Sequence, residues 1–251
     1  MNFSVSFVSP DKSFGAVFAG RGLVRLRLDL ISLHIQVQLM HRIPPGAAAS
    51  IFTAIGGPGE IRYKDGMIDP KLFGPLAQFI GTWQGSRGDD TAPDDFRGVE
   101  RNLFREELIC TPMAPAANHE QVLYVVSYTR TAWRLSAADP FHEQMGYWLW
   151  DPVARQVMHS FMIPRGMTVL AGGDAQPDSS VLQVKATRGS STFGICSNPF
   201  LDEEFRTVAY ESTITFHGPQ SFSYRENTQI QIKGQSDLFH HVDLNTLEKT
   251  R

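Results

Sequence analysis

Cysteine is scarce in this chain, which has only Cys110 and Cys196 among its 251 residues. The two lie far apart and form no CxxC pair, so the sequence supports neither a disulfide framework nor a zinc site built from thiolates. A reducing compartment is the simplest setting for such a chain. We therefore expect a cytoplasmic protein.

Strong charge of one sign is also lacking. The formal net charge is −3, and no long basic run is present, so there is no electrostatic footprint for nucleic acid. The most apolar early stretch, residues 22–39, is interrupted by Arg25, Arg27 and Asp29. A membrane-spanning helix needs about 20 consecutive apolar residues. We expect neither a nucleic-acid partner nor a membrane partner.

Motifs of several common enzyme classes are missing. The chain has no Gly-x-Ser-x-Gly elbow, no glycine-rich phosphate loop and no HExxH helix. The adjacent acids Glu106 and Glu107, like Glu203 and Glu204, would diverge on a strand, and we interpret them as solvated. The sequence therefore predicts no catalytic residues of its own.

The domain boundary is predicted from proline and glycine. Residues 43–60 are too rich in both for a regular element, so we predict a poorly ordered extension and linker over 1–66 and a ligand-binding domain over 67–251. Asp69 and Pro70 are typical of a helix start. The short helix that follows has an apolar face suited to plugging the end of a barrel.

The rest of the chain is typical of β-structure. Extended runs rich in β-branched and aromatic residues alternate with turn clusters. The predicted strands are 80–88, 98–109, 120–132, 142–151, 155–163, 167–172, 180–188, 205–217, 220–232 and 237–248. Their short connections favour sequential antiparallel neighbours. We predict an all-β fold, a ten-stranded antiparallel up-and-down barrel of the lipocalin or fatty-acid-binding-protein type.

One inward face of the predicted barrel is mixed in polarity. In the ninth strand Tyr224, Glu226 and Thr228 alternate with outward residues and share a face with aliphatic side chains. A sandwich core would be apolar throughout, whereas a barrel that encloses a ligand tolerates polar groups inside. The pattern indicates a small apolar or planar ligand.

Several stretches together resemble one family, the haem-binding β-barrels related to nitrobindin, which are also described as fatty-acid-binding-protein-like. The matching segments are GTWQGSRG at 81–88, AP at 92–93, FHEQMGYWLW at 141–150, PRG at 164–166, LAGG at 170–173, SYRENT at 223–228 and HVDLNTL at 241–247. The resemblance covers roughly residues 70–251. It implies a compact ten-stranded barrel.

The resemblance also implies a cofactor, haem b, whose iron is held by a histidine near the C-terminus. His241 matches that position best, and such proteins bind nitric oxide and isomerise peroxynitrite to nitrate, which would make this chain a peroxynitrite isomerase. Strict alternation instead groups His240 with the apolar face and points it inward. A bulge near the rim could re-aim His241, with Asp243 or Asp237 accepting its second N–H.

Three further residues are candidate ligand contacts. Arg165, in an apolar region, could receive a haem propionate or another carboxylate, and Tyr224 and Thr228 could be polar contacts inside the barrel. The alternative function is a carrier for a fatty-acid-like molecule, without haem, in which Arg165 and Tyr224 hold the carboxylate. Self-association as a homodimer stays open.

Overall fold

A computed structural model describes residues 69–251, together with the backbone of residues 62–63 and 66–67. Arg62–Tyr63 pairs with Gly66–Met67 as a short antiparallel ladder. The rest of the predicted extension lies outside the described residues. Its boundary at residue 66 stays a prediction.

Ten long strands make up the domain, and they correspond one to one with the predicted strands. In chain order they are β1 Gly81–Pro93, β2 Val99–Pro112, β3 Gln121–Arg134, β4 His142–Asp151, β5 Gln156–Ile163, β6 Met167–Asp174, β7 Val181–Thr187, β8 Phe205–Phe216, β9 Ser221–Ile232 and β10 Phe239–Lys249. Most begin or end within a few residues of the predicted bounds. β1 runs further, because a bulge between Gly85 and Gly88 lets pairing with β2 continue to Pro93.

The sheet closes into a barrel. Each strand pairs antiparallel with its neighbour in sequence, and β10 returns to pair with β1. β6 and β7 meet at Gly172 and Lys185. The short strand Ile195–Ser197 pairs with the first residues of β6. Another short strand, Ala116–Asn118, pairs with β3. The predicted ten-stranded antiparallel barrel is confirmed, and closure leaves few free strand edges.

The helical segment before β1 differs from the helix we predicted. Pro70–Phe79 consists of 3₁₀ turns with a break at Gly74, whose φ is 52°. Glycine is needed at this position because its φ is positive and a Cβ would lie 2.5 Å from Nε1 of Trp150. The predicted N-cap is present, since Oδ1 of Asp69 accepts a 2.9 Å hydrogen bond from the amide of Lys71.

This segment, called the plug below, closes one end of the barrel. Phe73, Leu76 and Phe79 are at most 1% exposed. Nε1 of Trp83, near the start of β1, donates a 2.7 Å hydrogen bond to the carbonyl of Phe79. Trp83 is thus joined to the plug at the closed end of the barrel. Complete burial of a large apolar side chain contributes roughly 1.5–3 kcal/mol, so the plug is a substantial part of the core.

Helices are otherwise few. α1, Pro199–Glu204, precedes β8, and Oδ1 of its N-cap Asn198 accepts a 3.0 Å hydrogen bond from the amide of Leu201. Within the described part of the chain, no helix is long and apolar enough to cross a membrane.

Candidate ligand-binding cavity

A cavity of about 470 Å³ lies at the barrel end opposite the plug. Its walls come from the C-terminal half of β1 and the N-terminal half of β10, whereas the plug contacts the other ends of these strands. Leu201 of α1 and Arg165 in the β5–β6 turn also line it. The volume falls in the range of roughly 300–1,000 Å³ that is common for small-molecule sites.

The lining combines apolar and charged side chains. The larger apolar side chains are Phe104, Phe141, Phe161, Ile163, Met167, Leu201, Phe205 and Ile230. The ionisable acids and guanidinium groups are Asp90, Asp94, Asp95, Glu100, Glu226, Asp243, Arg130, Arg134 and Arg165. Six carboxylates against three guanidinium groups give the wall an acidic excess. A ligand with exposed negative charge therefore needs a local cation to balance it.

His241 contributes an imidazole to this cavity from β10. Its side chain is 33% exposed, and its Nε2 donates a 2.8 Å hydrogen bond to Oδ1 of Asp90 on β1. The other oxygen of Asp90 accepts from Nδ2 of Asn102 at 3.2 Å. Asp90 is only 4% exposed, so the carboxylate that holds the ring is itself fixed within the wall.

The surroundings of His241 favour its protonated form. Burial alone would lower the pKa of the imidazole, but the carboxylates of Asp90, Asp243 and Glu226 outweigh burial and raise it. His142, also on the wall, behaves in the opposite way, because burial and the nearby Arg130 lower its pKa to about 4. The pKa values of the two cavity histidines are thus shifted in opposite directions.

Beneath the cavity lies a buried ion cluster centred on Arg130 of β3. Its Nε donates to Glu106 at 2.7 Å, its Nη1 to Glu226 at 2.8 Å and its Nη2 to Asp243 at 2.8 Å. Nη2 also donates to the hydroxyl of Tyr224, over whose ring the guanidinium lies. One cation is therefore shared by three carboxylates from three different strands.

Two of the acids that share this cation have pKa values shifted in opposite directions. Burial and the neighbouring Asp243 raise the pKa of Glu226. Burial would also raise the pKa of Asp243, but Arg130 and His241 outweigh it and lower it. The ionised form of Asp243 is thus favoured. Removing Arg130 would leave three buried acids without their cation, which is strongly destabilising.

A second buried network connects this cluster to the barrel centre. The hydroxyl of Tyr210 donates to Oε1 of Glu226 at 2.6 Å, and the hydroxyl of Tyr128 lies 2.6 Å from Nε2 of His159. The His159 ring stacks on Trp148 at 4.1 Å. Burial, followed by the influence of Arg130, lowers the pKa of His159 to about 3. This histidine is therefore neutral and structural, and it supports the floor beneath the cavity.

The structure brings some of the predicted site residues together and separates others. His241, Arg165 and Thr228 line the same cavity, and Thr228 is the cross-strand partner of His241. Tyr224 is buried below the cavity, where its hydroxyl donates a 2.8 Å hydrogen bond to Glu106. His240 is exposed on the outside of the barrel, and its Nδ1 donates to Asn227 at 3.1 Å. The roles of these residues remain predictions.

Two details predicted for the histidines were wrong. Alternation pointed His240 inward because an apolar inner face was assumed, but the inner face of β10 is polar where it meets the cavity and Arg130. No bulge is needed to turn His241 inward, since the register with β9 is continuous there. Nε2 of His241 is bonded to Asp90 on β1, which is distant in sequence. Asp243 or Asp237 as acceptor of the second N–H stays a prediction.

Two members of the buried cluster, Glu106 and Arg130, were not predicted from the sequence. Glu106 was interpreted as solvated but is 3% exposed and paired with Arg130. The signal was present, because Glu106 alternates in phase with the buried residues Phe104 and Leu108 of β2. Arg130 shares the inner face of β3 with Tyr128 in the same way. Charged residues in an inward phase could have been recognised as a buried pair.

No group of three or more His, Cys, Asp and Glu side chains in the described residues could hold a bare metal ion. Iron carried by a macrocycle needs only one protein ligand, so this finding leaves a haem site open.

Comparison with known proteins identifies the fold family. The family model described as "THAP4-like, heme-binding beta-barrel domain" matches residues 72–249. The chain belongs to this family. The resemblance to nitrobindin-like barrels is therefore confirmed, and family membership supports a small-ligand-binding barrel with haem as the named ligand.

A solved structure supports the same fold. The crystal structure of Rv2717c from M. tuberculosis is similar, with a TM-score of 0.52 and 22% sequence identity. The match covers 73% of this chain and 99% of that one. At this identity the likeness shows the barrel fold alone. No curated protein matches the sequence.

Proposed function

We propose that the barrel binds haem b in this cavity and that His241 is the iron ligand. The observation that carries the proposal is the imidazole of His241 on the cavity wall of a haem-binding-family barrel. Asp90, bonded to Nε2 of this imidazole, fixes the ring on the wall.

The lining residues fit a haem in two further respects. Aromatic and aliphatic side chains such as Phe104, Phe161 and Ile230 provide apolar walls for a porphyrin. The guanidinium of the exposed Arg165 makes no ion pair within the described residues, so it is available at the mouth for a propionate. Thr228, beside His241, would be a polar contact of the bound group.

Bound haem would supply an open iron position for nitric oxide or peroxynitrite, and the activity proposed with it is isomerisation of peroxynitrite to nitrate. The chain's own residues contribute binding, orientation and exclusion of water. The apolar walls reduce solvent access, and the neutral His142 adds no charge to the acidic wall at neutral pH.

A fatty-acid-like ligand receives less support. The hydroxyl of Tyr224, which was expected to hold a carboxylate, is instead bonded to Glu106 and Arg130 below the cavity. Only Arg165 of the two expected contacts faces the cavity.

A haemin titration of the purified protein, followed by absorbance in the Soret region, tests the proposal. We expect saturable 1:1 binding that is lost in His241→Ala and kept in His240→Ala, because of these two histidines His241 faces the cavity and His240 does not. Loss in His240→Ala alone, or no saturable band in the parent protein, would contradict the proposal. Nitric oxide binding and peroxynitrite decay by the haem complex then test the activity.

A further inference from the structure

The hydrogen bond from His241 to Asp90 orients the imidazole in the cavity, but it also occupies a ring nitrogen that could bind iron. Nε2 of His241 donates to Oδ1 of Asp90 at 2.8 Å. A nitrogen that carries a proton and donates it has no lone pair to offer to iron. Asp90 is nearly fully buried and is held in place by Asn102, so it does not simply turn away.

The other ring nitrogen is a poor substitute. Nδ1 is bonded to the ring carbon that carries Cβ, so a metal there lies close to the histidine's own side-chain stem and backbone. Nε2 is at the far side of the ring, where a broad planar macrocycle has room. Within the described residues Nδ1 of His241 makes no hydrogen bond, yet its position disfavours a porphyrin.

We propose that Asp90 competes with haem iron for Nε2 of His241 and thereby sets how strongly the cavity prefers haem over other small ligands. This inference rests on the proposed function. For Nε2 to bind iron, its proton would have to leave, to solvent from the imidazolium or to Nδ1 from the neutral ring, and the hydrogen bond to Asp90 would be lost with it. Asp90 is thus a positioning residue that acts through His241.

The expected effect follows from the bond that must break. A hydrogen bond to a charged group is worth enough to change an equilibrium by about 10-fold to 100-fold. Asp90→Ala removes the acceptor and is expected to raise haemin affinity by about that factor. Asp90→Asn keeps the shape but has no charge, so its gain is expected to be smaller; it also serves if the alanine variant folds poorly.

Two controls separate this account from simple loss of negative charge. Asp243→Asn removes a cavity carboxylate without freeing Nε2, so competition predicts a smaller gain than in Asp90→Ala. Asp89→Asn changes the neighbouring residue, which pairs with Arg101 away from His241, and is expected to leave haemin affinity unchanged. Equal gains in Asp90→Ala and Asp243→Asn would overturn the proposal in favour of a charge effect.

A double-substitution cycle and a pH profile provide the remaining readouts. In the His241→Ala background, Asp90→Ala is expected not to restore saturable haemin binding, because no imidazole is then left to release. In the parent protein, haemin affinity is expected to rise with pH up to a higher pH than in Asp90→Ala, since Asp90 helps to retain the His241 proton.

The four outcomes of the haemin titration distinguish this inference from the proposed function. Binding by the parent with a gain in Asp90→Ala supports both. Binding only by Asp90→Ala supports competition and removes haem as the native ligand. Binding by the parent with no gain in Asp90→Ala supports the haem proposal and overturns competition. Failure of both proteins to bind overturns both.

Discussion

The two ends of the barrel differ in how their interiors are filled. At the closed end the plug and Trp83 bury aromatic and aliphatic side chains almost completely. At the open end the same strands enclose a cavity with carboxylates, guanidinium groups and histidines, above the buried cluster of Arg130. Buried charge contributes less to stability than well-packed apolar groups of similar volume. The contrast indicates that the closed end stabilises the fold and the open end is kept for binding.

The largest effect is expected where the two regions meet, at Arg130. Arg130→Met leaves Glu106, Glu226 and Asp243 buried without their cation and is expected to cost about 3–5 kcal/mol of unfolding free energy. Arg130 lowers the pKa of Glu226 and Asp243, so without it their pKa values in the folded state are higher, and the loss is expected to be smaller at pH 5 than at pH 7. Urea denaturation at both pH values measures this.

Arg134→Met is the matched control, because Arg134 forms a 3.2 Å ion pair with Glu100 that is largely open to solvent. It is expected to cost about 0–1 kcal/mol. Equal losses of unfolding free energy in Arg130→Met and Arg134→Met would contradict a larger contribution of the buried cluster to stability.

Two leucines of the plug provide the test of the closed end. Leu76 is fully buried and Leu72 is 47% exposed. Leu76→Ala is expected to cost about 2–5 kcal/mol, because it leaves a cavity in packed core, whereas Leu72→Ala is expected to cost within about 0.5 kcal/mol. Neither change should alter haemin affinity in the folded protein. A large affinity loss in Leu76→Ala would mean that the two ends are not separate in function.

The buried His159 and the cavity residue His241 are expected to change stability with pH in different ways. Burial, and then Arg130, lower the pKa of His159 from 6.5 to about 3. Between these values the unfolded chain binds more protons than the folded one, so His159 makes stability fall as pH falls, by about 1.4 kcal/mol per pH unit. His241 has a raised pKa, so its contribution is present below pH 6.5 and is lost as pH rises through the raised value.

Titration of the histidine ring protons by NMR separates the two groups. We expect His159 to stay neutral until about pH 3 and His142 until about pH 4, while His241 titrates above 6.5. An ordinary titration of His159 near 6.5 would contradict its burial in the network with Tyr128 and Tyr210.

The smallest effect on haemin affinity is expected at Arg165, in the turn between β5 and β6 at the open end. Arg165→Ala removes an exposed guanidinium, so haemin affinity should fall by only about 2-fold to 5-fold. Arg155→Ala is the control, since Arg155 is exposed and bonded to Gln176 rather than lining the cavity. An equal loss in both variants would indicate a general charge effect rather than a contact with a propionate.

The barrel could be predicted from sequence because period-two alternation and turn residues are local signals. The need for glycine at position 74 could not, since it depends on Trp150, which is distant in the chain. Alternation failed at His240 because inward residues next to a cavity need not be apolar. The partner of His241 also escaped prediction, because Asp90 meets it only when β10 pairs with β1.

The most direct test of the haem proposal is the resonance Raman spectrum of the ferrous haem complex. An iron–histidine stretching band that shifts on ¹⁵N-histidine labelling is expected in the parent protein and in His240→Ala, and is expected to be absent from His241→Ala. Persistence of that band in His241→Ala would contradict the assignment of His241 as the iron ligand.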